Sequence, residues 1–179
     1  MPAYVALLRG INVGGSRIFK MADLREVFAA ARANDVATFI QSGNVVFTHA
    51  ARSEGTLAAE LESRIAKVAG FRVPVVLRTA AQLARVIEEC PFPDAEADQV
   101  HVAFLARRPP ADAPTIEASA FAPERCETVG RELYLYLPQG MGRSKLATAV
   151  LARPKAIGAG ATARNWRTVS KLNELASAL

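Results

Sequence analysis

The chain has 179 residues, of which 51% are hydrophobic and 22% charged, so it can bury a sizeable core and is not a disordered polymer. No apolar stretch is long enough to cross a bilayer, and the first residues lack the basic region of a secretory leader. Two cysteines, Cys90 and Cys126, indicate a reducing compartment without a disulfide framework. The two histidines lie in separate segments, so we predict no metal site, and no motif points to a cofactor. We therefore expect a folded cytoplasmic protein that does not associate with membranes.

Basic residues are concentrated in two segments of the chain. Residues 141–179 contain seven Lys and Arg against the single acid Glu174, whereas the rest of the chain has a net charge of −1. Residues 1–20 contain Arg9, Arg17 and Lys20 and no acid. Charge confined to two segments favours an anionic partner more strongly than the same charge spread evenly.

Apolar periodicity in the first half of the chain predicts an alternation of strands and helices. The predicted elements are a strand at 4–9, a Gly-rich loop at 10–16, a helix near 24–31, strands at 36–41 and 44–48, a helix near 57–68 and a strand at 73–77. Ser42 and Gly43 form a hairpin turn, and Gly70 ends the second helix. This order is the ferredoxin-like α–β plait, in which the first and third strands are central.

The second half repeats the pattern less completely. We predict a linking helix at 80–89, strands at 100–105, 125–129 and 132–137, short helices at 114–120 and 144–151, and a C-terminal helix at about 164–178. No fourth strand is evident, because residues 154–161 are rich in Gly and Ala. The expectation is an α/β (α+β) protein of two packed plaits, the second degenerate, with the domains at 1–79 and 99–179 and a linker at 80–98.

Four segments depart from plain core patterning. Residues 8–15 join Arg9 to glycines that allow close approach to a ligand, although a tight turn needs the same residues. Residues 41–44 combine small and amide side chains, which turns also favour. In residues 138–146, Ser144 can cap a helix whose free amides, beside Arg143 and Lys145, suit a phosphate or a carboxylate. In residues 162–172, Thr162 is a candidate N-cap, and three cations, Arg164, Arg167 and Lys171, share one helical face.

The same segments carry a family resemblance. LLRGINVGG (7–15), QSGNVVF (41–47), GRSKL (142–146) and TARNWRTV (162–169) together resemble the signature blocks of the domain-of-unknown-function 1697 family, DUF1697. The resemblance implies two packed α–β plaits and a bacterial, cytoplasmic protein. It implies no activity, substrate or catalytic residue.

Our leading hypothesis is a protein that binds a phosphate-bearing small molecule or nucleotide in a cleft between the two units. Arginines would clamp the anion, and Asn and Gln amides would bind its polar edges. The candidate ligand-binding residues are Arg9, Asn12, Gly14, Gly15, Gln41, Ser42, Asn44, Ser144, Lys145, Arg164 and Asn165. We expect Arg9→Ala and Arg164→Ala to weaken binding and to leave the fold intact.

Three alternatives stay open. Nucleic acid could bind the basic C-terminal third, although the central strands lack a base-stacking platform. The basic face could instead contact an acidic protein. Whether the protein is an enzyme is uncertain, because no carboxylate pair or nucleophile motif stands out, and the oligomeric state is left open.

Overall fold

The computed structural model describes residues 1–15, 17–110, 117–152 and 161–179. In chain order the elements are β1 (Ala3–Leu8), α1 (Met21–Ala30), β2 (Asn34–Phe39), β3 (Asn44–Thr48), α2 (Glu54–Ala69), β4 (Val75–Thr79), α3 (Ala80–Glu88), β5 (Val100–Phe104), β6 (Arg125–Val129), β7 (Glu132–Tyr136), α4 (Lys145–Leu151), β8 (Thr162–Asn165) and α5 (Trp166–Ser177). The predicted α+β class with a C-terminal helix is confirmed. Residues 114–116 of the predicted short helix at 114–120 lie outside the described residues, and a 3-10 helix is present at Ala118–Phe121.

The first sheet has the strand order β2-β3-β1-β4, and all of its neighbours are antiparallel. The predicted central position of the first and third strands is therefore confirmed. One face of the sheet packs against α1 and α2 in a single apolar cluster. This cluster includes Tyr4, Ala6, Leu8 and Phe47 from the strands, Leu24 and Phe28 from α1, and Leu57, Leu61 and Ile65 from α2.

Both ends of α2 carry residues that commonly cap helices. Its N-cap is Ser53, whose hydroxyl accepts a hydrogen bond from the Thr56 amide at 3.3 Å. Its C-cap is Gly70, which has the left-handed φ of 78° that glycine adopts without a steric penalty. The predicted end of this helix at Gly70 is confirmed.

The second sheet has the strand order β6-β7-β5-β8 and is also antiparallel throughout. Its fourth strand, β8, was not evident from the sequence, which predicted helix from about residue 164. The residues of β8 are too few and too weakly β-forming to stand out in the sequence, and they become a strand because they pair with β5 from His101 to Phe104. The stretch at 154–161, which we could not assign, lies outside the described residues except for Ala161.

Contacts between Cα atoms divide the chain into two compact units. Unit 1 contains Met1–Ala84 and Leu172–Leu179, and unit 2 contains Arg85–Lys171. Within the described residues, no helix is both long and apolar enough to span a membrane.

Candidate functional site

Three loops meet at one edge of the first sheet. They follow β1, connect β2 to β3, and precede β4, and antiparallel pairing brings these strand ends together. The Leu8 amide donates to the Gly43 carbonyl at 2.8 Å, and the Arg9 amide donates to the Pro74 carbonyl at 3.0 Å. These bonds make the three loops one connected surface.

Asn12 holds two of these loops together. Its side-chain amide donates to the carbonyls of Phe19 at 2.9 Å and Gln41 at 2.8 Å, and its Oδ1 accepts from the Phe19 amide at 2.8 Å. The backbone of Asn12 has a φ of 54°, a conformation that Asn tolerates better than most residues. Both amide hydrogens are already bonded, so Asn12 positions the loop and has no remaining donor for a ligand.

The Gln41–Asn44 turn is also organised by its own contacts. Asn44 is fully buried, and its amide donates to the Phe39 carbonyl at 3.1 Å and to the Ser42 hydroxyl at 3.2 Å. A Cβ placed on Gly43 would lie 2.7 Å from the Cβ of Leu8, so only glycine fits there.

The side chains of Arg9 and Gln41 are exposed. Gly14 and Gly15, with positive φ, are exposed and have open space beside them.

In unit 2, the start of α4 already has its partners. Ser144 is the predicted N-cap, and its hydroxyl accepts from the Ala147 amide at 2.8 Å. The Leu146 amide donates to Oε2 of Glu124 at 3.0 Å. The prediction of free amides at this helix start is therefore wrong for these two groups, because Ser144 accepts from one and Glu124, 22 residues before Leu146, accepts from the other.

A pocket of about 300 Å³ lies beside this helix start. Its lining residues are Ala120, Phe121, Ala122, Pro123, Glu124, Pro138, Gln139, Arg143 and Lys145. Arg143 and Lys145, which we predicted to flank an anion, both contribute to its wall and are exposed. The pocket thus combines two cations and an amide with apolar walls and with one carboxylate that is bonded to the backbone.

A larger groove of about 550 Å³ lies between α1 and α2, but its chemistry is mixed. Asp23, Glu26 and Glu60 line it together with Arg64 and Lys67. Glu60 and Arg64 form an ion pair at 2.9 Å across one turn of α2. Paired charges of both signs along a helix surface are typical of a solvated face.

Arg164 does not lie on the C-terminal helix, which corrects the predicted basic face. It belongs to β8 and is only 9% exposed, and its Nη1 donates to the Thr162 hydroxyl at 2.7 Å and the Ala163 carbonyl at 2.8 Å. Burial lowers its pKa to about 10. The helix starts at Trp166, two residues later than expected, and Asn165 rather than Thr162 accepts the first amide bond, from Thr168 at 2.8 Å.

Arg78 is a buried cation that the sequence analysis missed. It lies in β4, is 1% exposed, and its Nη1 donates to the Leu77 carbonyl at 2.7 Å. It pairs with Val5 of β1 as Arg164 pairs with Val102 of β5. The equivalent positions of the two arginines could have been found in the sequence, because each directly precedes a residue that caps a helix, Thr79 for Arg78 and Asn165 for Arg164.

The sequence profile of proteins of unknown function DUF1697 matches residues 1–134 of the chain, three quarters of its length. The chain belongs to the DUF1697 family. A conserved bacterial protein of Streptococcus pneumoniae has a solved structure that aligns with this DUF1697 chain with a TM-score of 0.77, covering 99% of both chains at 20% sequence identity. At that identity, the likeness shows the fold alone. No curated protein matches this DUF1697 chain.

Proposed function

We propose that this DUF1697 protein binds small phosphate- or carboxylate-bearing molecules in the pocket of unit 2. The observation that carries the proposal is that Arg143 and Lys145, together with Gln139, line one concave pocket of about 300 Å³. This volume is at the lower end of the range for small-molecule sites. The pocket therefore fits a compact ligand such as a phosphate ester better than a large cofactor.

The lining chemistry supports an anion. A guanidinium binds a phosphate or carboxylate through two parallel hydrogen bonds, and an ammonium adds a mobile charge. Phe121, Pro123 and Pro138 supply apolar wall, which strengthens these interactions by limiting solvent. Glu124 opposes a bare anion, so a ligand that carries a hydroxyl or amine donor beside its anionic group has the best fit.

The rest of the sequence-derived site stays a prediction. In unit 1, Arg9 and Gln41 keep exposed side chains, and the glycines keep accessible backbone. The proposed cleft that gathers residues from both units also stays a prediction. The buried or hydrogen-bonded candidates, Asn12, Asn44, Ser144, Arg164 and Asn165, are better explained as residues that position loops and helices.

Nucleic-acid binding through the C-terminal third is less well supported. The expected basic face needed Arg164 beside Arg167 and Lys171, but Arg164 is buried in β8. Phosphate contacts dominate nucleic-acid affinity, so the loss of one cation from the face weakens this alternative.

Calorimetric titration with inorganic phosphate, glycerol phosphate and a nucleoside monophosphate tests the proposal. We expect Arg143→Gln and Lys145→Gln each to lower affinity about tenfold, since each removes a charge close to the ligand. Arg167→Gln removes the same charge from an exposed position on α5 of unit 2 and is the matched control.

Glu124→Gln provides the opposite test. The amide oxygen of Gln still accepts from Leu146, while the repulsive charge is removed, so affinity should rise about fivefold. The proposal is overturned if no phosphate compound binds, or if the pocket variants and the control bind with equal affinity.

A further inference from the structure

The three connected loops of unit 1 form a surface with one sign of charge. We define this basic loop edge as residues 9–15, 17–20, 40–43 and 70–74. It contains Arg9, Arg17, Lys20 and Arg72, all exposed, and no acidic residue. Within the described residues, none of the four forms an ion pair. The nearest acids along the chain are Asp23 in α1, Asp35 in β2 and Glu62 in α2. Asp35 accepts a hydrogen bond from the Thr48 hydroxyl, and Glu62 accepts one from the Val75 amide.

The same edge exposes aliphatic side chains. Val13 is 62% exposed, Ile18 72% and Ile40 52%. Among the described residues away from the chain ends, Val68 is the only other large hydrophobic residue with comparable exposure. Several exposed aliphatic side chains on connected loops that also carry cations are typical of an interaction surface, whereas single exposed ones need no explanation.

The backbone at Ile40, one of the exposed aliphatic residues, is strained. Ile40 has a φ of 49°, in the left-handed region that a β-branched residue rarely adopts. Such strain persists only where the surroundings hold it, and it concentrates at functional positions. Here the Gln41 carbonyl is held by Asn12 and the Gly43 carbonyl by Leu8, so both loops fix the turn.

We propose that the basic loop edge is a docking surface for an acidic protein segment that carries aliphatic side chains. Carboxylates complement the four cations, and aliphatic side chains cover Val13, Ile18 and Ile40. Nucleic acid is disfavoured, because the large side chains exposed at this edge are aliphatic rather than the aromatic residues on which bases stack. The surface lies in unit 1 and shares no residue with the pocket in unit 2.

A selection from a random 12-residue peptide library displayed on phage, with the full chain as bait, tests this inference. The expected consensus contains several Asp or Glu and at least one Leu, Ile or Val. The Arg9→Gln/Arg72→Gln variant should bind a selected synthetic peptide at least tenfold more weakly than the wild type. The pocket variant Lys145→Gln should bind that peptide as the wild type does.

The Ile40→Asn variant distinguishes an effect on peptide binding from an effect on the stability of the fold. Asn tolerates the left-handed conformation, so the variant should raise Tm by about 2–4 °C while it weakens peptide binding about threefold or more. Val68→Asn, which alters an equally exposed aliphatic position on α2, should leave peptide binding unchanged.

Three results would overturn the docking surface. The first is a selection that yields no consensus, or one without acidic residues. The second is peptide binding that is insensitive to both Ile40→Asn and the double arginine variant. The third is tighter binding of a 20-residue oligothymidylate than of the peptide, measured by fluorescence anisotropy at the same salt concentration, which would assign the edge to nucleic acid.

Discussion

Two arginines, Arg78 and Arg164, occupy equivalent positions in the last strand of each sheet. Each is buried, and each donates through Nη1 to the carbonyl of the preceding residue. Removing a buried charged group leaves its former acceptors without a donor, which destabilises more than the loss of a surface contact does. We therefore expect these arginines to contribute to the stability of the fold.

Arg164→Ala tests that assignment. We now expect it to lower the free energy of unfolding by about 3 kcal/mol, which revises the expectation that it leaves the fold intact. Arg9→Ala, at an exposed position, should change stability by less than about 0.5 kcal/mol. Urea unfolding of both variants measures the difference. Equal stability of the two would show that the Arg164 interactions contribute nothing.

His101 predicts a dependence of stability on pH. Its Nδ1 is buried without a hydrogen-bond partner among the described residues, and burial lowers its pKa below the ordinary value. Between the folded and unfolded pKa values, the folded state binds fewer protons, so stability falls as the pH falls through that interval. Thermal melts from pH 7.5 to 4.5 should show a shallower loss of Tm for His101→Leu than for the wild type. Parallel curves for the two proteins would contradict this reasoning.

At the scale of elements, the conformation of the β2–β3 turn depends on Gly43. Gly43 combines a φ of 80° with a Cβ position 2.7 Å from Leu8 and 2.9 Å from Ile11. Gly15 has a similar φ of 74° but open space around it. Alanine substitutions at Gly43 and Gly15 therefore distinguish the cost of backbone strain from the cost of steric overlap.

Gly43→Ala should lower the free energy of unfolding by about 2–4 kcal/mol, because strain and overpacking add. Gly15→Ala should cost only about 1 kcal/mol, from backbone strain alone. Denaturant titrations of both variants provide the comparison. If Gly15→Ala is the more damaging change, the packing described for Gly43 is incorrect.

Local patterns predicted most of the elements, because helical and alternating periodicities are visible in a single sequence. The order of the first sheet followed from the βαββαβ sequence of elements. The strand β8 was missed because TARN has little β preference, and only its pairing with β5 makes it a strand. Mistaking it for helix moved Arg164 onto the wrong surface.

The hydrogen bonds of the candidate site residues were less predictable than the fold, for a physical reason. Sequence shows that Asn12 and Asn44 carry amides, but it does not show that those amides are already bonded to backbone carbonyls. Likewise, nothing near Leu146 in the sequence indicates that Glu124 accepts from its amide. Arg143 and Lys145 line the pocket of unit 2. Their role beside an anion stays a prediction.

At the scale of the whole molecule, the net charge is +5, and two separate regions contribute clustered cations. One is the pocket of unit 2, with its two cations and bonded carboxylate. Another is the basic loop edge of unit 1, where cations lie beside exposed aliphatic residues. A compact anion needs the concave geometry of the pocket, whereas an extended acidic segment needs the open surface of the edge.

The most direct test of the account is a ¹⁵N NMR titration of the full chain with glycerol phosphate at two salt concentrations. We predict saturable shift changes centred on Gln139, Arg143 and Lys145 that survive the higher salt, because directional hydrogen bonds and the apolar wall hold the ligand in addition to the screened charge attraction. Changes confined to the loops of unit 1, or weak changes spread over all exposed cations and lost in salt, would contradict the assignment of the pocket as the binding site.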